Sequence, residues 1–337
     1  MKVLIIRHGL TKSNVRDYEA GFRFPNNEEK QSEYKQKVRE QQDARELSGD
    51  SVLTDVGEQE AVRLGQYWGP LLETTAKRNK LEVLISPMYR TLQTIHPLMT
   101  YLHEKTNLAA NVYGEFFECG GLMSANDRAF MDDLEIRVAN ENNENDPKKK
   151  AQLRQERIQL YRSHNFSQVG LTMNEMNAMY PWLGKDFTGM KIDDPNTPWH
   201  LSNSDWSDKY IAERVERVAN MLREKAKHVA LNHIVVLVGH GDMNKRVLFN
   251  LLGIDTNKVS TNLQNTSCSL LTLNPKENMT NLNFFNRTPH LVNNIEGDSR
   301  NLTSYATDHG LYMPGGKEMR KQMFEYFPHS FEGKSRL

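Results

Sequence analysis

The chain of 337 residues has only two cysteines, Cys119 and Cys268. Two thiols cannot build a disulfide framework or a structural four-cysteine zinc site. An excess of charge is also missing: 43 Lys and Arg balance 43 Asp and Glu, for a formal net charge of +0. That balance argues against a nucleic-acid partner or a polybasic membrane tether, and still permits a local basic pocket. Long hydrophobic runs are absent too. Val3 to Ile6 is too short for the apolar region of a signal peptide, and Ile234 to Val238 is far below a membrane span. The expectation is a protein of the cytoplasm with no membrane partner. Hydrophobic residues make up 38%, on the low side, which suits polar insertions around a conventional core. A chain of this length buries roughly 75% of the surface its unfolded form exposes.

What the sequence does contain is a rhythm of short apolar runs and amphipathic segments. Val3-Leu4-Ile5-Ile6, Val83-Leu84-Ile85 and Ile234-Val235-Val236-Leu237-Val238 predict buried strands, and Ser269 to Leu273 predicts a fourth. Apolar residues recur at helical spacing after Thr54-Asp55, after Ser86-Pro87, and around Ile211 to Leu222 and Leu248 to Leu252. Buried strands alternating with helices predict a three-layer α/β/α sandwich with a mostly parallel central sheet. The reading is one domain over residues 1–337. Two stretches interrupt the rhythm: a polar insertion at 16–50, and a mainly helical, cap-like insertion at 122–205.

The chemistry gathers at strand ends. Arg7-His8-Gly9 follows the first apolar run, and Gly239-His240-Gly241 follows the third. Open α/β sheets bind ligands at the carboxyl ends of their strands. Ser86-Pro87-Met88-Tyr89-Arg90 follows the second run and puts Arg90 in the first turn of a helix. Glu118 closes the stretch Phe116-Phe117-Glu118 before Gly120-Gly121. Two arginines, two histidines and one carboxylate at one edge suit phosphoryl transfer. Guanidinium groups neutralise a phosphate and its transition state. A neutral imidazole can attack phosphorus, and a carboxylic acid can protonate the leaving alkoxide.

Here the sequence resembles a family. Arg7-His8-Gly9 with Thr11 and Asn14 looks like the signature of the histidine phosphatase superfamily, whose fold is phosphoglycerate-mutase-like. Leu53-Thr54-x-x-Gly57-x-Gln59-x-Ala61, Ser86-Pro87-x-x-Arg90-x-x-Gln93-Thr94 and Gly239-His240-Gly241 resemble its later motifs, in order, and Asn265 before Ser267 fits as well. The resemblance implies a metal-independent, cofactor-free phosphomonoesterase with a phosphohistidine on His8. It implies phosphate binding by Arg7, Asn14, Arg90 and His240, with His240 also catalytic and Glu118 as proton donor. Glu115, three residues before Glu118, competes for that last role. Glu115 falls in the stretch expected to form a strand, so the period of two puts its side chain on the opposite face. The implied partner is a phosphorylated substrate, either a small molecule or a phosphoprotein. Alternatives are a phosphoglycerate-mutase-type phosphotransferase and a non-catalytic phospholigand binder. Leu10-Thr11-Lys12-Ser13-Asn14 lacks the tryptophan that mutases carry before the asparagine, which favours hydrolysis.

Other features carry less. Gly316-Lys317 lacks the spacing of a phosphate-binding loop. There is no His-Glu-x-x-His, and no cysteine pair stands at metal-ligand spacing. Cys119 reads as a structural thiol, and Trp182, Trp199 and Trp206 as packing of the long insertion. Nothing in the sequence specifies an oligomeric state.

Overall fold

The computed structural model describes residues 1–39, 50–117, 130, 133, 136–137, 139–163, 170–188, 195–196, 199, 211–255, 258–259 and 261–291. Its strands are β1 (Lys2–Arg7), β2 (Leu81–Ile85), β3 (Ala110–Tyr113), β4 (Leu183–Thr188), β5 (Ile234–Gly239), β6 (Cys268–Asn274) and β7 (Met279–Arg287). Its main helices are α1 (Lys12–Arg23), α2 (Glu28–Arg39), α3 (Asp55–Lys77), α4 (Tyr89–Thr106), α5 (Pro147–Ser163), α6 (Met173–Met179), α7 (Ile211–His228) and α8 (Gly241–Leu252).

The strands form one sheet in the order β4-β3-β2-β5-β1-β6-β7. Pairing is parallel from β4 through to β1 and antiparallel at β6 and β7. The apolar runs of β1 and β5 are continuous because helices cover both faces. Leu4, Ile6, Val236 and Val238 pack under α3 and α4. Val3, Ile5, Val235 and Leu237 pack under α7 and α8. This is a three-layer α/β/α sandwich with a mostly parallel sheet. Among the described residues no helix is long and apolar enough to cross a membrane.

Helix α3 starts where Thr54 Oγ1 accepts the Gly57 N–H at 3.0 Å, with Asp55 and Glu58 in the first turn. A side-chain acceptor and acidic residues there satisfy free N–H groups and the helix dipole. Within residues 122–205, β4 joins the sheet edge, and Leu171, Met176, Tyr180, Trp182 and Trp199 pack into the cluster under α3 and α4. The segment after β3 differs from the expectation of a strand. β3 ends at Tyr113, and Gly114-Glu115 form a turn. Cys268, at the start of β6, is a buried free thiol, and burial pushes its pKa up to about 12. Cys119, Trp206 and residues 316–317 lie outside the described residues.

Candidate active site

The order of the strands sets the site. β1 lies between β5 and β6, and β2 lies on the far side of β5, so the carboxyl ends of β1, β5 and β2 are neighbours. The connections leave β1 and β5 in opposite directions along the sheet, the arrangement that opens a crevice at such an edge. His8, His240 and Ser86 each directly follow one of these strands.

His8 is held by its backbone on both sides. Its N–H donates to the Gly239 carbonyl at 2.9 Å. Its carbonyl accepts from Thr266 N–H at 3.1 Å and from Asn265 Nδ2 at 3.2 Å. The turn that supplies these donors carries Thr266 at φ 51°, a left-handed conformation that costs a β-branched residue energy. The ring of His8 is 2% exposed. Its Nδ1 lies 2.7 Å from the Gly9 carbonyl. A carbonyl only accepts, so Nδ1 carries the proton and Nε2 keeps its lone pair. Burial first, then the charges of Arg90 and Arg7, hold the ring's pKa well below the usual 6.5, against a smaller opposing effect of the Gly9 bond. The imidazole is therefore neutral at pH 7, with a bare nitrogen.

His240, fully buried, stands at the N-cap of α8. Its ring centroid is 5.3 Å from that of His8. Arg90 Nε–H donates to its Nδ1 at 3.2 Å. With Nδ1 accepting, the neutral ring bears its proton on Nε2 and donates to Ser86 Oγ at 2.7 Å. Burial, followed by the charges of Arg90, His8, Arg7 and Arg214, holds its pKa well below the usual value.

The two arginines flank the imidazoles. Arg90 also lies 3.8 Å from Asp50 Oδ1, which accepts the Tyr89 N–H at 2.8 Å at the start of α4. Arg7 Nη1 donates to the Leu263 carbonyl. Its Nε is buried with no hydrogen-bond partner among the described residues. The Arg7 guanidinium lies over Gly241, where an added Cβ would come within 3.2 Å of Nε. A side chain at Gly241 would thus press on the guanidinium and shift it by a few tenths of an ångström. Asn14 joins indirectly: its Oδ1 accepts from Asn265 Nδ2 at 3.1 Å, and that same amide group holds the His8 carbonyl.

The structure brings Arg7, His8, Arg90 and His240 together, with Asn14 one hydrogen bond away. Glu118 lies outside the described residues. Glu115 Oε2 is engaged by Arg217 Nη2 of α7 at 3.0 Å, with its side chain 17% exposed. Among the described residues no cluster of three or more His, Cys, Asp or Glu is arranged to hold a metal ion.

Several contributors escaped the sequence. Glu60, 1% exposed, accepts the Leu10 N–H at 2.9 Å. Burial pushes its pKa up to about 7, against the Leu10 bond and the charge of Arg7. Thr94 Oγ1 accepts the Gly9 N–H at 2.8 Å and donates to the Arg90 carbonyl at 2.7 Å, tying the first histidine loop to α4. Asp50 and Arg214 complete the set. Glu60 and Arg214 carried a readable signal: each is an ionisable residue on the buried stripe of an amphipathic helix, a placement that needs a partner.

No family model matches the chain, and neither does any curated protein. Solved structures do resemble it. Phosphoserine phosphatase from Entamoeba histolytica, bound to 3-phosphoglyceric acid, is 18% identical with a TM-score of 0.41, over 86% of this chain and 99% of that one. Phosphoglycerate mutase from Bacillus anthracis is 15% identical with a TM-score of 0.42, over 86% and 94%. A mycobacterial glucosyl-3-phosphoglycerate phosphatase in complex with VO3 is 16% identical with a TM-score of 0.41, over 85% and 98%.

Proposed function

We propose that this protein is a phosphomonoester hydrolase of the histidine phosphatase type, working through a phosphohistidine on His8. The observation that carries the reading is the state of the His8 ring: buried, neutral, its Nδ1–H committed to the Gly9 carbonyl and its Nε2 bare, within the field of the Arg90 and Arg7 charges. Arg7, whose Nε has no partner among the described residues, and Arg90 take the phosphoryl oxygens. Asn14 supplies a further contact to the phosphate, and His240 does so when its Nε2–H turns from Ser86 Oγ to a phosphoryl oxygen. Buried guanidinium groups act most strongly where charge spreads over those oxygens.

His8 Nε2 attacks phosphorus, and the bond to the ester oxygen breaks. Glu118, as the carboxylic acid, gives its proton to the departing alkoxide. The resulting carboxylate then takes a proton from water as that water attacks the phosphohistidine. Inorganic phosphate leaves and His8 is regenerated. No metal and no cofactor enters these steps. Glu118 is favoured over Glu115 because the Glu115 carboxylate is held by Arg217.

The experiment is acid-free rapid quenching with an aryl phosphate, followed by intact mass measurement. Wild type is expected to carry one acid-labile phosphoryl group, and His8→Ala none. Turnover persisting in His8→Ala would sink the mechanism. Transfer to 3-phosphoglycerate in place of water would make the enzyme a mutase.

A further inference from the structure

Asp50, at the end of the polar stretch 16–50, is a buried carboxylate that the reaction above does not use. Its place is fixed from two sides. The residues after it are stitched to the loop that follows His8. Ser51 Oγ accepts the Ser13 N–H at 3.1 Å, Lys12 N–H donates to the Val52 carbonyl at 3.2 Å, and Thr54 N–H donates to the Leu10 carbonyl at 2.9 Å. On the other side, Leu53 N–H donates to Gln93 Oε1 of α4 at 3.0 Å. Asp50 itself reaches the start of α4. Met88, the N-cap there, makes no capping hydrogen bond with its side chain, and the first turn holds no acidic residue. Asp50 Oδ1 accepts the Tyr89 N–H at 2.8 Å and so caps the helix from 39 residues away.

A cap needs only an acceptor, and asparagine or serine serves as well as aspartate. The charge calls for a further reason, because a carboxylate that is 2% exposed is costly to bury. That reason lies 3.8 Å away, at Arg90 Nη1. Arg90 is one of the two guanidinium groups assigned to the phosphoryl oxygens, and its Nε–H is already given to His240. A fixed negative charge beside an anion site works against the anion. We propose that Asp50 is a positioning residue that acts through Arg90. It holds the guanidinium in the empty site, competes with the phosphoryl group for it, and so limits the affinity for inorganic phosphate, the product that must leave. An anion on the same guanidinium stands within about 10 Å of the carboxylate, given ordinary hydrogen-bond lengths. Unit charges at that separation, at an effective dielectric of about 20, change a binding constant roughly 10-fold. The inference rests on the hydrolase reading given above.

The test is the sign of a change in affinity. Inorganic phosphate is titrated into the full chain by calorimetry, beside steady-state kinetics with p-nitrophenyl phosphate and thermal melting. Asp50→Asn keeps the oxygen that caps α4 and removes the charge. It is expected to tighten phosphate binding by about 10-fold, to lower KM in step, and to leave kcat no higher than in wild type. A residue that served only as a cap would have the opposite signature, since its alteration loosens the start of α4, weakens the anion site and lowers the melting temperature. Asp50→Ser, also a cap without a charge, should repeat the tightening, and it carries the comparison if Asp50→Asn does not fold. Unchanged or weaker phosphate binding in the folded variants would overturn the role of Asp50 and leave the phosphohistidine standing. A wild type that neither binds phosphate nor phosphorylates His8 would overturn both.

Discussion

Arg90 Nε–H and His240 Nδ1 share a hydrogen bond of 3.2 Å in a place where neither is exposed to water. The bond fixes the ring's tautomer and commits its other nitrogen to Ser86. It also aims the planar end of Arg90 past His240, with Asp50 3.8 Å from Nη1 on the other flank. The position needs a guanidinium, since an ammonium lacks the Nε–H and the fork. Arg90→Lys is expected to lower kcat/KM for an aryl phosphate by about 10²–10³-fold, as removal of one transition-state donor does elsewhere. Steady-state kinetics check it, and a loss under threefold would show that the geometry is incidental.

Gly241 offers a subtler perturbation. An added Cβ would stand 3.2 Å from Arg7 Nε and 3.4 Å from its Cζ, so Gly241→Ala must displace the guanidinium by a few tenths of an ångström. The backbone of α8 is unaffected by alanine. Phosphate inhibition should weaken by about 10-fold or more while the melting temperature holds, since small misplacements of an anion clamp are costly. Unchanged inhibition by inorganic phosphate would mean that Arg7 does not meet the anion.

Glu60 links the site to pH. Its folded pKa of about 7 lies above its ordinary value of 4.5, so the folded state holds the proton more tightly than the unfolded chain. The stability it contributes is full below pH 4.5 and is lost as pH rises through 7. The effect amounts to roughly 3 kcal/mol for a shift of this size. Glu60→Gln keeps an acceptor for the Leu10 N–H and removes the titration. Denaturant unfolding at pH 5 and pH 8 should find the variant gaining on wild type as pH rises. His8 and His240, whose folded pKa values are depressed, push the other way in both proteins and cancel in the comparison. Parallel pH profiles would contradict the assignment.

The proposed machinery is arginine and histidine, so EDTA should leave turnover unchanged. Vanadate, which adopts the geometry of pentavalent phosphorus, should inhibit competitively. Loss of activity on chelation, restored by a divalent cation, would require a different chemistry.

Much of this was legible because the proposed catalytic edge is assembled from strands that announce themselves. Val3–Ile6, Val83–Ile85 and Val235–Val238 are buried on both faces and so read as unbroken apolar runs, with Arg7-His8, Ser86 and His240 directly after them. The weaker strands hide for physical reasons. β3 has four residues, β4 mixes Gly, Lys and Asp with its apolar positions, and β7 is an edge strand whose Asn281 and Asn283 face water. Glu115 was misplaced in a strand because Phe116 and Phe117 extend the apolar stretch. The chain turns at Gly114-Glu115 instead, and those rings are buried by packing against Gly239 and Arg214. Glu60, Asp50 and Arg214 act through contacts 50, 39 and 97 residues away in sequence, which no local pattern encodes.

The place of β1 in the sheet also dictates an order of events at the ribosome. Leu4 pairs with Val236 on one side and Leu270 on the other. Both neighbours of the first strand are thus made in the last third of the sequence. Until they emerge, Val3-Leu4-Ile5-Ile6 has no ladder to join, and the histidine it carries has no companion. Translation must run past His240 before the two histidines of this edge can meet. A nascent chain of this design carries the apolar run of β1 unpaired while more than 200 further residues are made, a natural client for a chaperone and a slow step in folding.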